Sequence, residues 1–167
     1  GTPSAEILRE LVTTGEVNKW EPMTEALLMF ASRHEHTKNL IIPSLENGKW
    51  VLCDRFYHST YAYQGLGHGL GLEAMESLKK TSIGEIEPDL VFFLDIDPVE
   101  GIKRTMGRNT NENRFEKMDI SFHTKLREAF LDFSKIYSEN SVVINANQEI
   151  NKISDVIFEE IEKRFKI

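Results

Sequence analysis

One cysteine, Cys53, stands in 167 residues, so no intrachain disulfide can form and a cytosolic chain is the expectation. No apolar run approaches the roughly 18 residues that a membrane helix needs. The start, "GTPSAEILRE", lacks the basic-then-apolar order of a signal peptide and does not open with methionine. Positive charge is also in deficit. Twenty Lys and Arg face 27 Asp and Glu, a net charge of -7, which argues against a general nucleic-acid coat. A small anionic ligand is still allowed, because local arginines can bind one. Nowhere does the chain carry Gly-x-x-x-x-Gly-Lys-Ser/Thr, the loop whose backbone N–H groups cradle phosphates.

What is present suits one folded domain spanning 1–167. Apolar residues make up 40% and charged ones 28%, ordinary values for a globular chain able to bury a substantial core. "TPSAEILRELVTT" reads as a helix with Ser4 as its N-cap. A second helix starts near Pro22 and runs to the Asn47-Gly48 stop, with Pro43 placed to bend it. "KWVLC" reads as a short buried strand. "GLGHGLGL" is a loop, and "LEAMESLKKTSIG" is a helix stopped by Gly84. "DLVFFLDID" has the unbroken apolar character of a strand buried on both faces, with Asp97 and Pro98 capping the next helix. A polar break, "RNTNEN", precedes a helix from about Asp119 to Tyr137. The strand "SVVINA" and a last amphipathic helix complete the chain. Strands alternating with helices predict an α/β fold, a parallel sheet covered by helices on both faces.

Ligands of open parallel sheets sit beyond the carboxyl ends of strands. Asp54-Arg55, Asp95-Ile96-Asp97 and Asn145-Ala146-Asn147 fall at such ends. Arg55 can offer a forked pair of hydrogen bonds to a phosphate, and Asp54 can hold Mg²⁺ through water or orient Arg55. Taken alone, the dipeptide is better accounted for by a strand-end salt bridge. Arg33 lies inside the apolar stretch "LLMFASRHEH", where a guanidinium usually snorkels to water. Arg104, Arg108 and Arg114 flank the polar break, either as a solvated helix end or as a flap able to close over a polyphosphate.

The motifs "LLMFASRHEH", "DRFYHSTYAYQG", "PDLVFFLDIDPVEGIKR", "NRFE" and "INANQ", in this order and over essentially the whole chain, resemble bacterial thymidylate kinases. The resemblance implies a three-layer P-loop kinase fold and transfer of the γ-phosphoryl of ATP to dTMP, with Mg²⁺ as cofactor, in a cytoplasmic homodimer. It implies catalytic roles for Asp54, Arg55 and Arg108, with Asp54 also serving the metal. Arg55 would bind the dTMP phosphate and Arg33 a thymine carbonyl. Ser59 and Gln64 would lie near the base, and Tyr63 under the deoxyribose, disfavouring a 2'-hydroxyl. Arg104, Arg108 and Arg114 would belong to a lid at about 104–118, and Asn147 to the loop near adenine.

The chain departs from the family pattern in two ways. The place of the phenylalanine that stacks on thymine holds Met29, with Phe30 one residue later. The start resembles the segment just after the family's Arg-Glu-Pro-Gly motif, so N-terminal strands and the phosphate loop are expected to be missing from these residues. The 167 residues alone are accordingly expected to be inactive. A kinase for another nucleoside monophosphate, or a nucleotide-binding paralogue without activity, stays open on the sequence.

Overall fold

The computed structural model describes residues 1–105 and 114–167, which form two compact units. The first holds residues 1–86 and 114–126 of those described, the second 87–105 and 127–167.

In the first unit, helix α1 (Pro3–Thr13) is capped by Thr2, not by Ser4: the Thr2 hydroxyl accepts from the Ala5 N–H at 3.3 Å, and Pro3 takes the first helical position, where a missing N–H costs nothing. Helix α2 (Pro22–His36) packs on α1, and the buried Ser32 hydroxyl donates to the Ala5 carbonyl at 2.7 Å. After α2 the chain loosens into a π-helical turn (Thr37–Ile41) before α3 (Ile42–Glu46). Pro43, which has no N–H to donate back into that turn, accounts for the irregularity. Gly48, at φ +69°, ends the helical stretch as its sequence foretells.

The expected strand "KWVLC" does not form. Residues 49–53 are irregular, and Leu52 is 87% exposed. A strand exists only where another strand accepts its hydrogen bonds, and apolar content alone supplies none.

Helix α4 (Tyr57–Thr60) then runs into a π-helical segment (Tyr61–Gly67), which takes up the first part of the expected glycine loop, and α5 (Leu72–Ser82) follows. The π segment seats its glycines against neighbours. A Cβ on Gly65 would lie 2.9 Å from the Met75 side chain, and one on Gly67 2.9 Å from the Phe122 ring. Val12, Phe30, Tyr57, Tyr61, Ala62 and Met75 form the core of this unit.

The second unit contains two parallel strands, β1 (Val91–Asp95) and β2 (Ser141–Asn145), paired from Val91↔Ser141 to Asp95↔Asn145. The parallel pairing agrees with the alternating pattern of the sequence. Burial on both faces does not: Leu94 is 52% and Val143 45% exposed, while Phe93 and Ile144 are buried. Helix α6 (Pro98–Thr105) has the expected cap, Asp97 Oδ1 accepting from the N–H groups of Val99 (3.0 Å) and Glu100 (3.3 Å). Helix α7 (Ile120–Ile136) buries Phe122, Leu126, Ala129 and Phe133, a helical stripe at spacings of three and four. Helix α8 (Ile150–Phe165) ends the chain. No helix among the described residues is long and apolar enough to cross a membrane.

Candidate functional site

Most of the singled-out polar residues come together in the first unit, on the irregular stretch 51–56, α4, the π segment and α2. Arg55 sits at φ +66°, a left-handed conformation that costs a residue with a Cβ about 1–3 kcal/mol. Its guanidinium lies 5.6 Å from the Tyr63 ring centre, and its Nη1 donates to the Tyr63 hydroxyl at 3.3 Å. The contact and hydrogen bond with Tyr63 raise the pKa of Arg55 above the ordinary value, burial works against this, and Asp54 and Glu116 add to the rise. Tyr63 is wedged against Phe115 by an edge-to-face contact at 4.9 Å. Asp54 is exposed beside Arg55.

Arg33 does not snorkel. It is only 8% exposed, its Nη1 donates to Thr60 Oγ1 at 2.8 Å and to the Met29 carbonyl at 3.4 Å, and its Nη2 donates to the Phe56 carbonyl at 3.0 Å. Burial pushes its pKa down to about 10, so it stays a cation at neutral pH. The rings of Phe30 and Phe56 lie 5.7 and 5.8 Å from it. Phe30 is buried and Met29 half-buried, so the aromatic neighbour of Arg33 on α2 is Phe30. α2 and α4 are thus joined by an internal cation whose acceptors are all neutral.

Behind these residues Glu25, 1% exposed, gathers three partners. Arg114 Nη1 donates to its Oε2, Gln64 Nε2 donates to its Oε1 at 2.6 Å, and His68 Nε2 lies 3.3 Å from the same oxygen. Burial pushes the Glu25 carboxyl up, but His68, Gln64 and Arg114 together outweigh it and leave the pKa below the ordinary value. Arg114, also 1% exposed, donates besides to the carbonyls of Val12, Glu16 and Val17. An exposed flap arginine at 114 is therefore not what the structure contains. A buried carboxylate fixes that guanidinium to the α1–α2 region. Sequence reading also missed Glu25 itself, since an acid in the first turn of a helix ordinarily signals only the helix dipole.

Ser59 is buried at the start of this cluster, its N–H donating to the Phe56 carbonyl at 3.1 Å. Arg104 and Asn147 lie in the second unit. Arg104 Nη1 donates to the Ala146 carbonyl at 2.9 Å, and the neighbouring Asn147 N–H donates to Asn145 Oδ1 at 2.8 Å. Arg108, and with it residues 106–113 of the expected lid, lies outside the described residues. Among the described residues no three His, Cys, Asp or Glu side chains cluster as metal ligands. A single accessible carboxylate such as Asp54 suits Mg²⁺, which keeps several waters and is held largely by substrate phosphates.

This arrangement offers a buried cation to a neutral acceptor, an accessible guanidinium to an anion, and an aromatic ring beside that guanidinium. The thymidylate kinase family pattern matches residues 1–157. The chain is 39% identical over 165 residues to a thymidylate kinase of Magnetococcus marinus, covering 99% of this chain and 79% of that protein. It is likewise 39% identical over 165 residues to one of Lactobacillus acidophilus, covering 98% and 76%. Against one of Caulobacter vibrioides identity is 36% over 164 residues, covering 98% and 78%.

Proposed function

This chain belongs to the thymidylate kinase family, and from that premise we propose that it transfers the γ-phosphoryl group of ATP to dTMP, giving dTDP and ADP. The observation that carries the reading is that Arg33, Arg55 and Tyr63 converge on one segment, 54–64, with the charge and shape a pyrimidine deoxynucleotide requires. Arg55 holds the dTMP phosphate, and Tyr63, braced by Phe115, lies under the deoxyribose. Arg33 donates to a thymine carbonyl, with Ser59 and Gln64 near the base.

An oxygen of the dTMP phosphate attacks the γ-phosphorus of ATP, the bond from that phosphorus to the β–γ bridging oxygen breaks, and ADP leaves with the electron pair. There is little covalent work for the protein beyond positioning and neutralising charge. Mg²⁺, when bound with ATP, neutralises phosphate charge, and Asp54 would hold it through water. Arg104 and Asn147, beside each other through Ala146, serve the ATP side, and Arg108 meets the transferring group. Arg114 is assigned to the Glu25 pair instead. No residue of this chain is assigned to cradle the β- and γ-phosphates. Self-association as a homodimer belongs to the same reading, supported by exposed Ile7, Leu11, Met23 and Leu27 on α1 and α2, and sedimentation checks it.

The test is Arg55→Ala, assayed for dTMP-dependent ADP release. We expect kcat/KM for dTMP to fall by about 2–4 kcal/mol, with no recovery in Arg55→Lys, because an ammonium cannot reproduce the forked contact. Kinetics unchanged in Arg55→Ala, or turnover of AMP comparable with dTMP in the unaltered protein, would remove the assignment.

A further inference from the structure

Gln64 is 2% exposed, and the two ends of its amide differ in chemistry: the nitrogen only donates and the oxygen only accepts. Which end faces a ligand is decided by what the other end meets. Here that is Glu25 Oε1, 2.6 Å from Gln64 Nε2. The hydrogen bonds from Gln64 and Arg114, with His68 close by, overcome burial and keep Glu25 ionised, hence an acceptor with nothing to donate. A flipped amide would set its oxygen against this carboxylate in a water-poor site, a contact without a proton between two acceptors. The carboxylate cannot easily swing aside. It is held at its other oxygen by Arg114, whose guanidinium is itself anchored by donating to the carbonyls of Val12, Glu16 and Val17.

We propose that Glu25 is a positioning residue that turns the Gln64 amide so that its carbonyl oxygen, and not its nitrogen, is set against N3 of the nucleotide base, making the pocket select a pyrimidine that carries hydrogen on N3. The inference rests on the thymidylate reading above, which places Arg33 and Gln64 at the base. Arg33 has donors only, and with one Nε2–H of Gln64 held by Glu25 the amide nitrogen is turned to the carboxylate and the carbonyl oxygen is the group set towards N3. This pair complements the O4 acceptor and N3–H donor of thymine. Cytosine presents the reverse, an amino group at position 4 and a lone pair at N3, and meets a like group at both points. Desolvated mismatches of this kind discriminate far more strongly than a missing methyl group does.

The experiment is calorimetric titration of the full chain with dTMP and with dCMP. In Glu25→Gln/Arg114→Met, which removes both buried charges together, the residue at 25 can donate as well as accept, so the Gln64 amide is free to flip. The dTMP:dCMP affinity ratio should then fall about tenfold, a discrimination carried by one oriented hydrogen bond. Made in a Gln64→Leu background, the same two changes should leave the ratio where Gln64→Leu alone puts it. A purely structural role would lower both affinities together and would act alike in either background. Glu25→Asp keeps the charge opposite Arg114 but lengthens the reach to Gln64, and serves as the second variant if the double change does not fold; its ratio should fall part of the way. A ratio within twofold of the unaltered protein in a folded variant overturns the inference and leaves the function intact. An unaltered protein that binds neither nucleotide overturns the function reading itself, and this inference with it.

Discussion

Replacing Arg33 by methionine separates binding from stability, because the structure places a full charge where the fold gains little from it. Burial lowers the Arg33 pKa from its ordinary, higher value to about 10, a penalty of about 3 kcal/mol for holding the cation inside. That penalty is fully present at pH 7, which is below both values, and would be relieved only as pH rises through about 10. Against it stand hydrogen bonds to Thr60 at 2.8 Å, to Phe56 at 3.0 Å and a longer one to Met29 at 3.4 Å. At about 1 kcal/mol net for each, they roughly cancel the penalty. Methionine fills much of the volume and needs no partners, though the Thr60 hydroxyl loses one. Stability by urea denaturation at pH 7 should therefore stay within about 2 kcal/mol of the unaltered protein. Affinity for dTMP, read by calorimetry, should fall at least about tenfold, since a buried acceptor on the base loses its donor. A loss of more than about 4 kcal/mol would refute the cancellation and make Arg33 a structural cation. Unchanged dTMP affinity would refute its place at the base.

Arg114→Ala should cost about 3–5 kcal/mol in urea denaturation, because it leaves the buried Glu25 carboxylate without its guanidinium; a cost under 1 kcal/mol would mean that water reaches the pair. Gly67→Ala should lose about 1–3 kcal/mol, since its Cβ would meet the Phe122 ring at 2.9 Å and the Ala62 carbonyl at 3.1 Å, and an unchanged urea midpoint would show that the π segment relaxes without cost. In the second unit, the hydrogen bonds from Arg127 to Asp95 hold that carboxyl below its usual range. Its contribution to stability is present above the unfolded carboxylate value and is lost as pH falls through the lower folded one. Asp95→Asn should accordingly show a shallower loss of the urea midpoint between about pH 5 and pH 2 than the unaltered protein, and identical slopes would assign the acid sensitivity elsewhere.

Local signals in the sequence carried much of the fold. Asp97-Pro98 identified the start of α6, Pro22 that of α2, and Gly48 and Gly84 the stops after α3 and α5, because caps and left-handed glycines are decided within a few residues. "KWVLC" misled, since its apolar content matches that of "DLVFFLDID", and only the latter has a partner strand, in Ser141–Asn145. The site divides along the same line. Arg33, Arg55, Ser59, Tyr63 and Gln64 were legible from their motifs and do gather in one unit. The arginine of "NRFE" was legible as important but misplaced in role: nothing local to residue 114 announces a carboxylate 89 positions away. Glu25 and the bracing ring of Phe115 leave no local mark, since their meaning lies in side chains brought to them by packing.

The left-handed backbone at Arg55 bears on any attempt to engineer this protein. Glycine is the residue that adopts φ +66° without steric cost, so a library ranked by melting temperature alone should drift towards glycine at this position. The guanidinium aligned with Tyr63 would vanish from the population while every stability score improved. With Arg55 in its proposed place on the dTMP phosphate, selection for robustness and selection for turnover pull this one codon in opposite directions, and a stabilised variant needs position 55 held fixed from the outset.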